Sequence, residues 1–122
     1  VASVLLVLAV SPAMARAEGE EDPLADLVRF MQVSPDLYRG GQPNAIHLAE
    51  LKRRGIKTVI SFVKSPWEDV QEEEREAKNA GLKFFAFPIT SMKGPDDEEL
   101  NAIFTELLRP SNAPVYIHCK HG

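Results

Sequence analysis

The segment around Cys119 holds the residues best suited to chemistry. Cys119 is the only cysteine of the 122 residues, and the apolar stretch 115–118, which ends in His118, runs directly into it. A thiol placed after a strand and before a loop can be ionised by backbone N–H groups and by neighbouring cations. The same N–H groups can hold a phosphate. The pattern predicts a cysteine nucleophile that takes a phosphoryl group as a cysteinyl-phosphate.

Composition argues against several other kinds of site. A single cysteine allows neither an intrachain disulfide nor a cysteine-rich metal site. His118, Cys119 and His121 are packed into one loop without a distant partner, so we predict no metal and no cofactor. The net charge of −4 argues against nucleic acid as a partner. A phosphorylated protein or a small phosphorylated metabolite needs only a local positive pocket, and we expect such a partner.

Helix and strand patterns alternate along the chain ahead of Cys119. The strand patterns cover 37–39, 56–63, 82–87 and 115–118, and the helix patterns cover 44–54, 67–80 and 97–109, with a short helix or turn over 24–31. The expected core residues of the helices are Ile46 or His47, Leu48, Leu51, Trp67, Val70, Ala77, Leu100, Ile103, Phe104, Leu107 and Leu108. The alternation predicts an α/β fold with a mostly parallel central sheet flanked by helices. Ligands of such sheets bind at the carboxyl ends of the strands, where Cys119 stands.

Residues 1–17 have the features of a secretory signal peptide. Val1 to Val10 form an apolar, uncharged run that is too short to span a bilayer. Small residues in A-x-A spacing follow it, so we expect cleavage after Ala15 or Ala17. The mature protein would then be secreted or periplasmic, with no stable membrane insertion. Residues 18–32 are predicted to form an acidic linker and a short N-terminal helix, and residues 33–122 the folded domain.

Two motifs resemble those of one known family. Residues 118–122 (HCKHG) resemble the opening of the protein tyrosine phosphatase signature. Residues 37–43 (LYRGGQP) are similar to the Tyr-Arg-Ser/Gly-x-Gln-Pro element of bacterial and atypical dual-specificity phosphatases, and 51–62 to the block that follows it. The resemblance implies a cysteine-dependent phosphatase that hydrolyses phosphate monoesters. Its substrates would be phosphotyrosine or phosphoserine/threonine proteins, or inositol phosphates.

The resemblance also implies a role for each residue of the signature. Cys119 would be the nucleophile, and His118 would orient the loop and help to keep the thiol ionised. The backbone N–H groups of Lys120, His121 and Gly122 would begin the phosphate cradle. The family's signature arginine and the helices behind it would follow Gly122, so we expect the chain to be incomplete there and inactive by itself.

The general acid is the least defined part of the predicted site. The family usually carries an aspartate on a loop before the cysteine, to protonate the leaving oxygen. Asp96 and Asp97 are the only carboxylates of the corresponding segment 88–97. Asp96 also follows Pro95 at the start of a predicted helix, where an aspartate serves as an N-cap without any catalytic role.

Other polar residues have simpler interpretations. We expect His47 on an exposed helix face, the acidic run 72–76 on a solvated face, and Arg39 in a hydrogen-bonded turn. His121 is either a cation of the pocket or an exposed loop residue. Two further functions stay open: a catalytically dead pseudophosphatase that only binds phosphate, and a rhodanese-like sulfurtransferase, whose loop lacks the preceding histidine.

Overall fold

The computed structural model describes residues 19–90 and 92–122. The predicted signal peptide lies outside this range. The strands are β1 (Met31–Ser34), β2 (Leu37–Gly40), β3 (Thr58–Ser61), β4 (Lys83–Ala86) and β5 (Val115–His118). The helices are α1 (Ala45–Arg53), α2 (Trp67–Asn79) and α3 (Asp97–Leu107), with one turn of 3-10 helix over Pro110–Asn112. No helix in the described ranges has both the length and the apolar character needed to cross a membrane.

The strands form one sheet, in the order β1-β2-β5-β3-β4. Only β1 is antiparallel to its neighbour; the pairings of β2 with β5, β5 with β3 and β3 with β4 are parallel. The mostly parallel α/β fold predicted from the alternation is therefore confirmed. β5 is the central strand, and its last residue, His118, pairs with Gly40 on one side and Ser61 on the other.

The helix boundaries follow from local chemistry. Asn44 caps α1, because its side chain accepts a hydrogen bond from the His47 N–H while the His47 ring accepts one from the Asn44 N–H. Gly55 ends this segment with φ of +98°, which favours glycine. Asp96 caps α3 by accepting a hydrogen bond from the Glu99 N–H.

One face of the sheet carries the main hydrophobic core, which α1 and α2 cover. Its buried members are Leu24, Leu27, Leu48, Leu51, Ile56, Val59, Ala77, Leu82 and Tyr116. All four residues of β3 are buried, so both faces of the sheet are covered at this strand.

Some predicted core positions are wrong. Trp67 is 46 % exposed because it stands in the first turn of α2, beyond the edge of the core, whereas Val70 and Ala77 are buried as predicted. Phe104 and Leu108 of the α3 segment are exposed, and Ile103 is its buried contact. The helical periodicity finds the apolar stripe, but it does not say how far that stripe extends under the sheet.

The region ahead of β2 holds a strand that no pattern indicated. Turns and one bend occupy 23–29, which is the turn alternative of the prediction for 24–31, and Met31–Ser34 forms an edge strand. All four residues of β1 are exposed, so the alternation that marks a half-buried strand is absent. Leu24 and Leu27 belong to the core, which therefore begins ahead of residue 33.

Candidate active site

Cys119 stands at the carboxyl end of the central strand β5 and is exposed. It borders a pocket of about 170 Å³ that is also lined by His118 and Gly122, and by Arg39 and Gly40 from the neighbouring strand β2. Two motifs that are far apart in sequence thus meet at one site. They meet because β2 and β5 are parallel neighbours, so that both lead into loops at the same edge of the sheet.

The turn after β2 supports the backbone of the cysteine loop. The Gln42 N–H donates a hydrogen bond to the Lys120 carbonyl at 3.1 Å. The Tyr116 hydroxyl, fully buried in β5, donates to the Gly41 carbonyl at 2.6 Å. Burial raises the pKa of this phenol, and the nearby Glu73 adds to the shift, so the hydroxyl keeps its proton and remains a donor.

Gly40 ends β2 at a point where Tyr116 and Phe30 approach the backbone too closely for a side chain. A Cβ atom on Gly40 would lie 2.5 Å from the Tyr116 hydroxyl and 3.2 Å from the Cα of Phe30. No larger side chain fits there without displacing Tyr116 or the backbone. The Gly-Gly pair of the LYRGGQP motif therefore brings two backbone segments together behind the pocket.

His118 is buried, and both of its ring nitrogens are engaged. Nδ1 lies 3.0 Å from the Cys119 carbonyl oxygen, and Nε2 lies 2.6 Å from Oε2 of Glu73 on α2. The imidazole also stacks on the Tyr116 ring, with the centroids 5.7 Å apart. Its backbone carbonyl accepts a hydrogen bond from the Phe62 N–H at 2.9 Å. The residue before the cysteine is thus held from α2, β3 and β5 together.

Glu73 is the site residue that the sequence interpretation missed. The acidic run 72–76 was expected on a solvated face, but Glu73 is only 2 % exposed. A signal was present: Glu73 lies three residues after the buried Val70 and four before the buried Ala77, so the three share one face of α2. A carboxylate at a core position of a helix needs a partner, and His118 is that partner.

The three residues after Cys119 are exposed, and their carbonyls bind upstream groups. The Arg29 guanidinium donates to the His121 carbonyl at 2.8 Å, and the Arg39 guanidinium lies 3.5 Å from the Gly122 carbonyl. Arg39 was expected to hold the Gln42-Pro43 turn by hydrogen bonds, but its contacts among the described residues are with Gly122 and Met31, and it lines the pocket. With the carbonyls of Lys120, His121 and Gly122 directed to these partners, the loop can present N–H groups on its other side.

Asp96 and Asp97 do not lie among the residues that line the Cys119 pocket. Asp96 is the N-cap of α3, which is the structural role foreseen for it, and Asp97 is the first residue of that helix. Both are exposed. Both positions are also favourable for the helix, since Asp96 caps it and Asp97 places a negative charge in its first turn.

His47 corrects a further prediction. It was expected on an exposed face, but it is buried, and its Nε2 lies 2.7 Å from Oδ1 of Asp26. The hydrogen bond from His47 lowers the pKa of Asp26. The reason is the capping box, which turns the ring back towards the start of α1 and against the segment that contains Asp26.

Comparison with known proteins identifies the relatives of this arrangement. Residues 24–122 match the model of the tyrosine phosphatase family. The dual specificity protein phosphatase TpbA of Pseudomonas aeruginosa is 34 % identical over 112 residues, which cover 92 % of this chain and 46 % of that protein. A crystal structure of TpbA in complex with pTyr superposes with a TM-score of 0.62 at 33 % identity, covering 92 % of this chain and 62 % of the other.

A plant relative is named for a different activity. The inositol diphosphatase DSP4 of Arabidopsis thaliana is 30 % identical over 99 residues, or 78 % of this chain and 49 % of that protein. The chain thus spans about half the length of the curated relatives that it matches.

Proposed function

Because the chain belongs to the tyrosine phosphatase family, we propose that it carries the nucleophile of a cysteine-dependent phosphatase of the dual-specificity type. The observation that carries the proposal is the position of Cys119: it stands at the end of the central parallel strand, in a pocket shared with the LYRGGQP motif. This family membership also removes the sulfurtransferase alternative.

The proposed reaction has two steps. The Cys119 thiolate attacks phosphorus, the bond to the leaving oxygen breaks, and a cysteinyl-phosphate forms while a general acid protonates the leaving oxygen. Water then attacks the phosphorus of this intermediate and releases inorganic phosphate and the thiolate. The N–H groups of Lys120, His121 and Gly122 would hold the phosphate oxygens, and Asp97 or Asp96 would supply the proton.

The test is a Cys119→Ser substitution in the full-length gene product. We expect hydrolysis of p-nitrophenyl phosphate to be lost, while binding of phosphate or of a phosphotyrosine peptide persists, because the cradle is made of backbone groups. Glu72→Gln on the exposed side of α2 serves as the matched control and should leave activity unchanged. Full activity of the Cys119→Ser protein would end the cysteine-phosphatase proposal. Absence of activity in the wild-type protein, with phosphate still bound, would favour a pseudophosphatase.

The substrate is proposed to be a phosphorylated protein or a small phosphorylated metabolite. One relative is named a dual specificity protein phosphatase and another an inositol diphosphatase, so both classes belong in the assay. Arg39 lines the pocket, and the exposed Lys120 directly follows Cys119; their positive charges would favour substrates with several negative charges. Phosphotyrosine peptides and inositol phosphates should be compared by kcat/KM on the same preparation.

We also propose that the protein is exported, to the periplasm or outside the cell. The apolar run and the A-x-A spacing of residues 1–17 support this proposal. Mass spectrometry of the N-terminus should find cleavage after Ala15 or Ala17. Leu6→Arg, which places a charge in the apolar run, should keep the protein uncleaved in the cytoplasm. An intact N-terminus on exported wild-type protein would contradict the proposed cleavage.

A further inference from the structure

We propose that Glu73 is a positioning residue of the active site, which holds His118 as an imidazolium and thereby favours the thiolate of Cys119. The inference rests on the proposed function, because it deepens the role of the residue before the nucleophile. Glu73 contacts neither the pocket nor Cys119 in the described residues; it acts through His118.

The hydrogen bonds of His118 determine its protons. Nδ1 faces the Cys119 carbonyl oxygen, which can only accept a hydrogen bond, so Nδ1 must carry a proton. Nε2 faces the Glu73 carboxyl group at 2.6 Å, and one proton must lie in that short contact. Imidazole is ordinarily the stronger base of the two groups, so the proton belongs to Nε2 and the pair is an imidazolium with a carboxylate.

His47 provides an internal comparison. Its Nδ1 accepts a hydrogen bond from the Asn44 N–H, and only its Nε2 donates, to Asp26. A neutral imidazole satisfies both contacts of His47, whereas no neutral form of His118 can donate to two acceptors at once. The contacts of His47 thus fit a ring with one proton, and those of His118 fit a ring with two.

Burial makes the pair interdependent. The side chains of His118 and Glu73 are 0 % and 2 % exposed. Oε1 of Glu73 is buried and has no hydrogen-bond partner among the described residues, so His118 is the group there that compensates the carboxylate. A buried imidazolium that loses its carboxylate is no longer stable and releases its proton.

Several ionisable groups surround the pair of Glu73 and His118. Tyr116 stacks on the imidazole and stays neutral, and Arg39 lines the pocket from β2. Glu73 also lines a depression between α2 and the turn before α1, together with Asp69, Glu72 and Glu76. None of these three side chains is buried, so water screens their charges, and the contact within the pair determines where its proton lies.

The pair affects Cys119 because its positive member, His118, lies nearer to the cysteine than its negative member, Glu73. The positive end of the pair adjoins the cysteine backbone, and the negative end lies behind it on α2. Such a dipole favours an anion at Cys119, although the pair has no net charge. Removing the carboxylate leaves two neutral groups in the same places and removes the dipole.

The experiment compares Glu73→Gln with Glu72→Gln in the full-length gene product. Glutamine keeps the size of the side chain, and it can donate to a neutral His118 through its amide group. We expect the pH midpoint of Cys119 alkylation by iodoacetamide to move up by about one unit in Glu73→Gln. The same midpoint should stay in place in Glu72→Gln, since that side chain is exposed. An unchanged or lower midpoint in Glu73→Gln would overturn the proposal, even if the variant melts earlier.

A second measurement uses the wild-type protein, so it does not depend on whether a variant folds. Nitrogen NMR of histidine-labelled wild-type protein should find two protonated ring nitrogens on His118 and one on His47, at the same neutral pH. A bare, pyridine-type Nε2 on His118 would refute the imidazolium. Neither the alkylation midpoint nor the NMR spectrum depends on turnover. Either measurement can therefore contradict the role of Glu73 while Cys119→Ser still abolishes hydrolysis. Likewise, both can support that role even if Cys119→Ser keeps its activity.

Discussion

Tyr116→Phe tests whether the hydrogen bond behind the pocket stabilises the fold. The Tyr116 hydroxyl donates to the Gly41 carbonyl at 2.6 Å, and both residues are buried. Phenylalanine keeps the ring but leaves that carbonyl unpaired, which costs about 1–3 kcal/mol. The equilibrium constant for unfolding should therefore rise about 5- to 150-fold, since about 1.4 kcal/mol corresponds to a factor of ten.

The assay is urea unfolding of the full-length gene product at neutral pH, followed by circular dichroism. Tyr38→Phe is the matched control, because the Tyr38 ring stacks on Phe30 at 6.0 Å and is only partly buried. Its hydroxyl makes no hydrogen bond in the described part of the chain, so the control should change the unfolding free energy by less than about 0.5 kcal/mol. Equal effects of the two substitutions would refute the reasoning.

A double-mutant cycle with Gly40 sharpens the same prediction. In Gly40→Ala the new methyl group would lie 2.5 Å from the Tyr116 hydroxyl, an overpacking that costs about 1–3 kcal/mol. In the Tyr116→Phe background that oxygen is gone, and the nearest remaining atom is the Phe30 Cα at 3.2 Å. Gly40→Ala should therefore cost less there, by a coupling energy of about 0.5 kcal/mol or more.

The pH dependence of Tyr116→Phe has a definite sign. Burial raises the pKa of Tyr116, so the folded state keeps the phenol proton where the unfolded chain, with its ordinary value of 10.0, has lost it. The unfolded state then binds fewer protons, and the stability of the wild type falls as the pH rises above 10.0. Phenylalanine lacks this term, so the gap in unfolding free energy between the two proteins should narrow in that range.

Two further predictions concern carboxylates. Asp96→Asn should leave the melting temperature unchanged, because asparagine caps a helix about as well as aspartate. The variant that removes the general acid, Asp97→Asn or Asp96→Asn, should lower kcat about 10²–10⁴-fold on phenyl phosphate and less on p-nitrophenyl phosphate, which has a better leaving group. Full activity of both variants would place the acid elsewhere. The hydrogen bond from His47 lowers the pKa of Asp26, so its stabilisation is present above the ordinary value of 3.8 and is lost as the pH falls through the lower folded value. The melting temperature of Asp26→Asn should thus lie below that of the wild type at neutral pH and converge with it in acid.

Much of the architecture could be predicted from the sequence because it depends on local signals. Caps and glycine stops mark the helices, and β-branched or aromatic runs mark β3 and β4. The parallel sheet follows from the alternation of these elements. β1 could not be predicted, since an exposed edge strand has no hydrophobic alternation and forms by pairing with β2. The order of strands in the sheet was likewise not available, because it depends on which elements pack together.

The site was predicted only in part, because its motifs are local signals whereas its other contacts depend on how the elements pack. Cys119 and His118 were found from their place in a motif, but Glu73 was hidden in a run of similar residues. Its role depends on the tertiary contact of α2 with the end of β5, which composition does not report. The spacing of Glu73 from Val70 and Ala77 placed it on the buried face, so a periodicity that includes polar residues would have marked it.

The two motifs of the chain are interdependent because the sheet places them side by side. Gly40 and Ser61 flank His118 in register, so the segments after β2 and β3 both reach the cysteine loop. The Gln42 and Phe62 N–H groups bind the carbonyls on either side of Cys119, those of Lys120 and His118. The backbone around the thiol is thus fixed by the segments that follow neighbouring strands. The proposed phosphate cradle would then begin on a fixed backbone, so it would lose little conformational entropy when an anion enters, and its donors would need no reorganisation as charge develops on the phosphoryl group.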